Sequence, residues 1–170
     1  MSDTRATVLV VEDEEVVRRI LAALLTDLGH QVLEAGDGEA AVQLMDSHTP
    51  DLVITDKNLP GISGLDVLRA ARERHPHAAL MVVTGYASYE SVVEALRLGA
   101  CEYMEKPFLD LKAIQDRVRA ALAARAWRHP TAEVLVDRLV EALSRREDGP
   151  ARAALPHAQA ARDALHPPGD

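Results

Sequence analysis

The chain has 170 residues, enough for one domain of ordinary size plus a remainder, and its 48% hydrophobic and 27% charged residues suit a soluble fold with a core to fill. Its net charge of −8 is unevenly spread: residues 1–109 hold 9 Lys and Arg against 18 Asp and Glu, whereas residues 110–170 hold 10 against 9. An acidic body repels nucleic-acid phosphates and attracts divalent cations or basic partners, so direct DNA binding is a poor fit. No apolar run approaches the ~20 residues of a membrane span, and the opening M-S-D-T-R has no apolar signal region, so a membrane location is not expected. Cys101 stands alone, which leaves no internal disulfide or multi-cysteine metal site and suits the cytoplasm.

Residues 7–11 (T-V-L-V-V) form a nearly continuous apolar run of strand length. Behind them Val16, Val17, Ile20, Leu21, Leu24, Leu25 and Leu28 recur at helical spacing, and Gly29 stands where a helix C-terminus favours glycine. The alternation repeats with a strand at 31–35, a helix at 39–47, a strand at 51–55 and a helix at 65–74. A strand at 79–84, a helix at 89–98 and a short strand at 101–105 follow. The last helix of the series starts near Leu109 and runs through Ile114, Val118 and Leu122. Five strands alternate with five helices, and several strands are apolar at consecutive positions, as a parallel sheet covered by helices on both faces requires.

In such sheets ligands bind beyond the carboxyl ends of the strands, which turns those ends into candidates. They are Glu12 and Asp13 after strand one, Asp56 after strand three, Thr84 after strand four and Lys106 after strand five. Each alone reads as an ordinary turn or cap residue. Together, three carboxylates converging at one edge raise one another's pKa unless a cation offsets them, and a hard divalent ion such as Mg²⁺ takes carboxylates together with phosphoryl oxygens. Lys106 adds a point charge and Thr84 a hydroxyl donor, a set suited to a phosphoryl group in transfer, with Asp56 best placed as nucleophile.

At this point the sequence resembles the receiver domain of two-component response regulators. The resemblance rests on V10-V-E-D-E14, on the segment from Thr55 to Leu68 (T-D-K-N-L-P-G-I-S-G-L-D-V-L), on T84-G-Y-A87 and on G99-A-C-E-Y-M-E-K-P-F108, and covers about residues 5–125. It implies a flavodoxin-like, doubly wound (βα)5 fold with a five-stranded parallel sheet in the order 2-1-3-4-5. It further implies phosphorylation of Asp56 by a histidine kinase or phosphotransfer protein. Mg²⁺, or Mn²⁺, would be held by Asp13, Asp56 and the backbone carbonyl of Asn58, with Glu12 acting through water. Thr84 and Lys106 would contact the phosphoryl oxygens, and Tyr103 would be the strand-five aromatic that turns inward and alters the surface of helix four, strand five and helix five. Tyr103 also reads as a half-buried strand aromatic.

By the same resemblance Asn58 and Tyr86 take the variable positions that tune dephosphorylation, Gly85 leaves access open, and the bond before Pro107 is a cis candidate. Only self-phosphotransfer and autodephosphorylation are expected, not enzymatic turnover. Two other readings stay open: a receiver within a longer hybrid kinase or transcription regulator, and a small aspartyl-phosphate phosphatase or phosphotransferase. Against the latter, Asn58 stands where such hydrolases carry a second Asp.

Beyond the expected receiver, 5–126, Leu135, Leu139 and Leu143 suggest an additional helix over 127–148, and an Ala- and Pro-rich tail fills 149–170. The leucine stripe needs a partner, so dimerisation through this helix, or through the helix four, strand five and helix five surface, stands beside an unidentified downstream protein.

Overall fold

The computed structural model describes residues 5–108 and 110–124, together with Val140, Ser144, Leu155, Pro156, Gln159 and Ala160. Apart from those isolated positions, the expected helix 127–148 and tail 149–170 lie outside the described residues. Five strands, β1 (Thr7–Val11), β2 (Gln31–Ala35), β3 (Leu52–Asp56), β4 (Ala79–Thr84) and β5 (Glu102–Glu105), alternate with α1 (Glu15–Asp27), α2 (Gly38–Ser47), α3 (Gly64–Arg74), α4 (Tyr89–Arg97) and α5 (Leu111–Ala124). The sheet is parallel throughout in the order β2-β1-β3-β4-β5. The doubly wound, flavodoxin-like architecture expected from the sequence is the one formed.

The strand sequences explain the order. Every residue of β3 and β4 is buried, and four of the five in β1, so these three strands sit in the middle with helices on both faces. The mixed sequences of β2 and β5 take the edges. Because side chains alternate along a strand, each strand feeds two cores. Val8, Val10, Ile54, Met81 and Val83 meet Leu21 and Leu25 of α1 and Ile114 and Val118 of α5. Leu9, Val11, Val53, Leu80 and Val82 meet Met45 of α2, Val67 and Leu68 of α3, and Ala95 of α4. Complete burial of each such aliphatic side chain contributes about 1.5–3 kcal/mol.

Several element boundaries differ from the sequence expectation by one or two residues, and local hydrogen bonds account for them. Asp37 accepts from Ala40 N at 2.7 Å and Ser63 from Asp66 N at 3.2 Å, so α2 and α3 each start one residue early, at a glycine. Asp110 accepts from the amides of Lys112 and Ala113, which delays α5 to Leu111. Asp51 accepts from Thr7 N at 2.7 Å and stands outside β3, which extends instead through Asp56. The apolar stripe of α1 is wider than the buried one: Val16 is 72% exposed and Ile20 45%.

The turn between β3 and α3 is what positions the site. Gly64 N donates to Lys57 O at 3.0 Å, and a Cβ on Gly64 would overlap the carbonyl oxygen of Asp56. Gly38, at the start of α2, leaves room for the Ile62 carbonyl, which would lie 2.6 Å from a Cβ there. No side chain fits at Gly64 without displacing the backbone of Asp56. Gly64→Ala is therefore expected to destabilise the fold by about 2–3 kcal/mol, lowering the melting temperature by roughly 10 °C. Gly85→Ala, with open space around its position, is expected to stay within about 0.5 kcal/mol of the parent. Thermal and denaturant unfolding of both variants checks the pair; equal melting temperatures would refute the steric account.

Candidate functional site

All four candidate strand ends meet at one edge of the sheet. The register pairs Val11 with Thr55, Asp56 with Val83 and Thr84 with Glu105, so the residues that end β3 and β4 and those just beyond β1 and β5 are brought level. Carboxylate oxygens of Glu12, Asp13 and Asp56 lie within 4.8 Å of one another. Asp56 is 6% exposed and Glu12 1%, while Asp13 faces solvent.

Each oxygen of Asp56 is held. Oδ2 accepts from Lys106 Nζ at 2.8 Å and Oδ1 from the backbone amide of Asn58 at 2.9 Å. Lys106 Nζ also lies 2.6 Å from Glu12 Oε2 and 3.6 Å from Glu14 Oε1, so three carboxylates share its charge. Burial works against the ammonium, but the hydrogen bond to Asp56 and the contact with Glu12 outweigh it and raise the Lys106 pKa above its ordinary value. Glu12 shifts upward as well: burial pushes it up further than Lys106 and the amide of Glu14 pull it down. Arg18 Nη1, from α1, donates to the Glu12 carbonyl at 2.7 Å and fixes the backbone that carries Glu12 and Asp13.

This donor set fits a hard divalent cation. It consists of carboxylate oxygens, one of them exposed, and the buried Glu12 Oε2 has no aligned hydrogen-bond donor despite the nearby ammonium. A carboxylate oxygen can take more than one partner, so Oε2, 2.6 Å from the ammonium, keeps a lone pair for another positive group or a water. Among the described residues this is the cluster of His, Cys, Asp and Glu side chains close enough to share a metal ion.

The remaining candidates sit around this centre. The hydroxyl of buried Thr84 accepts from its own loop at Tyr86 N (3.2 Å), without a hydrogen bond to Asp56. Asn58, Gly85 and Tyr86 are exposed, Tyr86 by 64%. The Lys106–Pro107 peptide is cis, and Lys106 N donates to Thr84 O at 2.8 Å. Tyr103 is half-buried against the α2–α3–α4 core, and its hydroxyl meets Ser91 Oγ at 3.0 Å.

Sequence reasoning did not single out Lys57, Arg18 or Ser91. Lys57 Nζ donates to Tyr86 O at 2.5 Å across the site, and Ser91 closes a capping box with Ser88 at the start of α4. Ser88, just ahead of the α4 pattern, carried an N-cap signal that could have drawn attention to this turn. The contacts of Lys57 and Arg18 span separate loops and elements and leave no local pattern.

Comparison with known proteins agrees with this architecture. The Response regulator receiver domain family matches residues 8–119. The chain is 40% identical over 104 residues to the chemotaxis protein CheY of Pseudomonas aeruginosa, the match covering 59% of this chain and 84% of CheY. It is 37% identical over 143 residues to the transcriptional regulatory protein FixJ of Azorhizobium caulinodans, covering 81% of this chain and 66% of FixJ. It is 37% identical over 113 residues to the response regulator FleR of P. aeruginosa, covering 66% of this chain and 24% of FleR. Among solved structures, the response regulator TrrA of Thermotoga maritima in complex with Mg²⁺ and BeF superposes with a TM-score of 0.62 at 32% identity, covering 68% of this chain and 98% of TrrA. A CheY-like receiver of Methanospirillum hungatei, at 24% identity and a TM-score of 0.69, shares the fold. The chain belongs to the response regulator receiver domain family, a family of signalling phosphoacceptors in two-component systems. Among the described residues no helix is long and apolar enough to cross a membrane.

The Ser91–Tyr103 contact yields a measurable prediction. Tyr103→Phe and Ser91→Ala each remove one partner of a part-buried pair, and Ser91→Ala also removes half of the capping box. Losses of about 1–2 kcal/mol are expected for Ser91→Ala and about 1 kcal/mol for Tyr103→Phe. The double variant should lose less than the sum, by about 0.5–1 kcal/mol. Urea unfolding of the four proteins measures the coupling, and strict additivity would show that the hydroxyls do not interact.

Proposed function

We propose that this receiver accepts a phosphoryl group on Asp56 from a histidine kinase or phosphotransfer protein, in a Mg²⁺-dependent reaction in the cytoplasm. The observation that carries the reading is the placement of Asp56. It is a buried carboxylate at the carboxyl end of a central strand, with each oxygen hydrogen-bonded and two further carboxylates within 4.8 Å. In the transfer, an Asp56 oxygen forms a bond to phosphorus as the donor's bond to phosphorus breaks. The electron pair leaves with the donor's imidazole or carboxylate, which takes any proton it needs from solvent.

The protein's own residues supply position and charge. Asn58 N holds one Asp56 oxygen and leaves the carboxylate a single orientation. Lys106 is already in place to follow the developing negative charge. Glu12, Asp13, Asp56 and the carbonyl of Asn58 would hold Mg²⁺ or Mn²⁺, which when bound neutralises carboxylate and phosphoryl oxygens together. The T. maritima TrrA structure, with Mg²⁺ and BeF, supports this assignment by likeness. The Thr84 hydroxyl would turn from Tyr86 N to a phosphoryl oxygen. Tyr103 would respond and change the α4–β5–α5 surface for a downstream protein or a second copy of the chain.

A receiver acting within a longer regulator is the second reading. It is favoured by the matched region spanning only 24% of FleR and 66% of FixJ.

Intact mass after incubation with acetyl phosphate and Mg²⁺ tests the proposal: the parent should gain one phosphoryl group, on the order of 80 Da, and Asp56→Ala should not. An adduct of the same size on Asp56→Ala would place the chemistry elsewhere. Because exposed Tyr86 stands at the mouth of the site, the phosphorylated parent is also expected to outlive phosphorylated Tyr86→Ala. Phosphate release after removal of the donor gives both half-lives, and equal values would exclude a shielding role.

A further inference from the structure

Lys57, the residue after the proposed phosphoacceptor, makes no ion pair among the described residues. Its ammonium is spent on a neutral acceptor instead: Nζ donates to the Tyr86 carbonyl at 2.5 Å and lies 5.9 Å from the centre of the Tyr86 ring. The contact joins the loop after β3 to the loop after β4 across the mouth of the site, between residues 29 positions apart in the sequence.

That carbonyl is also the acceptor to which the Thr84 hydroxyl donates among the described residues. Thr84 Oγ1 lies 3.5 Å from Tyr86 O, at the limit of a hydrogen bond, and accepts from Tyr86 N at 3.2 Å. A threonine hydroxyl has one proton to give and lone pairs to receive with. Here the receiving side is occupied by the amide. The proton has only the distant carbonyl among the described residues, and Lys57 holds that carbonyl at a far shorter distance.

We infer that Lys57 is a positioning residue for phosphorylation: by holding the Tyr86 carbonyl toward itself it leaves the Thr84 proton only weakly held and available to an incoming phosphoryl oxygen. The inference rests on the proposed role of Asp56 and Thr84. Its physical basis is position: the ammonium holds the carbonyl toward Lys57 and so away from the hydroxyl, since an oxygen with two lone pairs is not closed to a second donor by occupancy alone. A charge-assisted bond from an ammonium outweighs a stretched bond from a hydroxyl. A hydroxyl already free of a strong partner needs less rearrangement before it can stabilise new charge. Without the ammonium, the Thr84 hydroxyl closes on Tyr86 O, and that bond must break before the proton can serve the phosphoryl group.

The test uses the full chain with acetyl phosphate and Mg²⁺, following the initial rate of the phosphoryl adduct by intact mass. The proteins compared are the parent, Lys57→Met, Lys57→Arg, Thr84→Ala and the Lys57→Met/Thr84→Ala double variant, with melting temperatures recorded to verify that each is folded. Loss of about one net hydrogen bond predicts a three- to tenfold slower rate for Lys57→Met. Lys57→Arg, which keeps a charged donor, should recover most of that rate. In the Thr84→Ala background, Lys57→Met should change nothing further, because the hydroxyl through which it acts is gone. A parent rate in Lys57→Met overturns the inference and leaves the Asp56 reading intact. The same slowing with and without the Thr84 hydroxyl also overturns it, marking Lys57 as a charge that steers the anionic donor. No adduct on the parent protein overturns both readings.

Discussion

The ammonium of Lys106 is the interaction on which the acidic edge of this protein depends. With its side chain 13% exposed, it touches carboxylates of Glu12, Glu14 and Asp56, two of them buried. Removing one partner of a buried pair strands the other charge, at a cost of about 3–5 kcal/mol, far more than a surface ion pair contributes. Everything that fixes Lys106 therefore fixes the geometry of the acids. The last pairing of β4 with β5, Thr84 against Glu105, and the bond from Lys106 N to Thr84 O set where its side chain begins. The sheet that carries them is clamped by a core on each face.

Around that ammonium the loops are held by contacts that leave little slack. Gly64 lies against the backbone of Asp56 so closely that a methyl group has no place. Gly38 admits the Ile62 carbonyl, which ties α2 to the same turn. Arg18 reaches from α1 to the Glu12 carbonyl, with Glu34 of β2 3.6 Å from its Nε. The carboxylates are thus brought together by neighbours that do not themselves belong to the cluster. This lets a fold keep like charges close that would separate in a flexible chain.

The parts of this arrangement that were legible in the sequence are those written locally. Strand and helix periods identified all ten elements, and apolar runs at β1, β3 and β4 marked the buried strands. The rule that ligands gather at carboxyl ends placed Glu12, Asp13, Asp56, Thr84 and Lys106 together. The illegible parts depend on tertiary direction. The α1 pattern included Val16 and Ile20 with the core, yet they lie on the side of the helix turned from the sheet. Helical spacing gives the width of an apolar stripe but not how much of it a neighbour covers. Lys57 is one more cation on a loop until the β4–α4 loop is folded beside it. Ser91 is an ordinary polar residue until β5 brings Tyr103 to within 3.0 Å of it.

The start of α4 lies one short loop from the site. Tyr86 follows Thr84 by two residues, and Ser88, the N-cap of α4, follows two residues later. There α4 is held by hydroxyls: Ser88 and Ser91 cap each other, and Ser91 also meets Tyr103 from β5. Such bonds contribute about 1 kcal/mol each. Of the nine residues of α4 only Ser91, Val92 and Ala95 are buried, so the helix has a small apolar footprint compared with α1 or α3. The acidic edge and the start of α4 are thus joined by one short loop that begins at Thr84, and α4 adds hydroxyl contacts to a small buried surface.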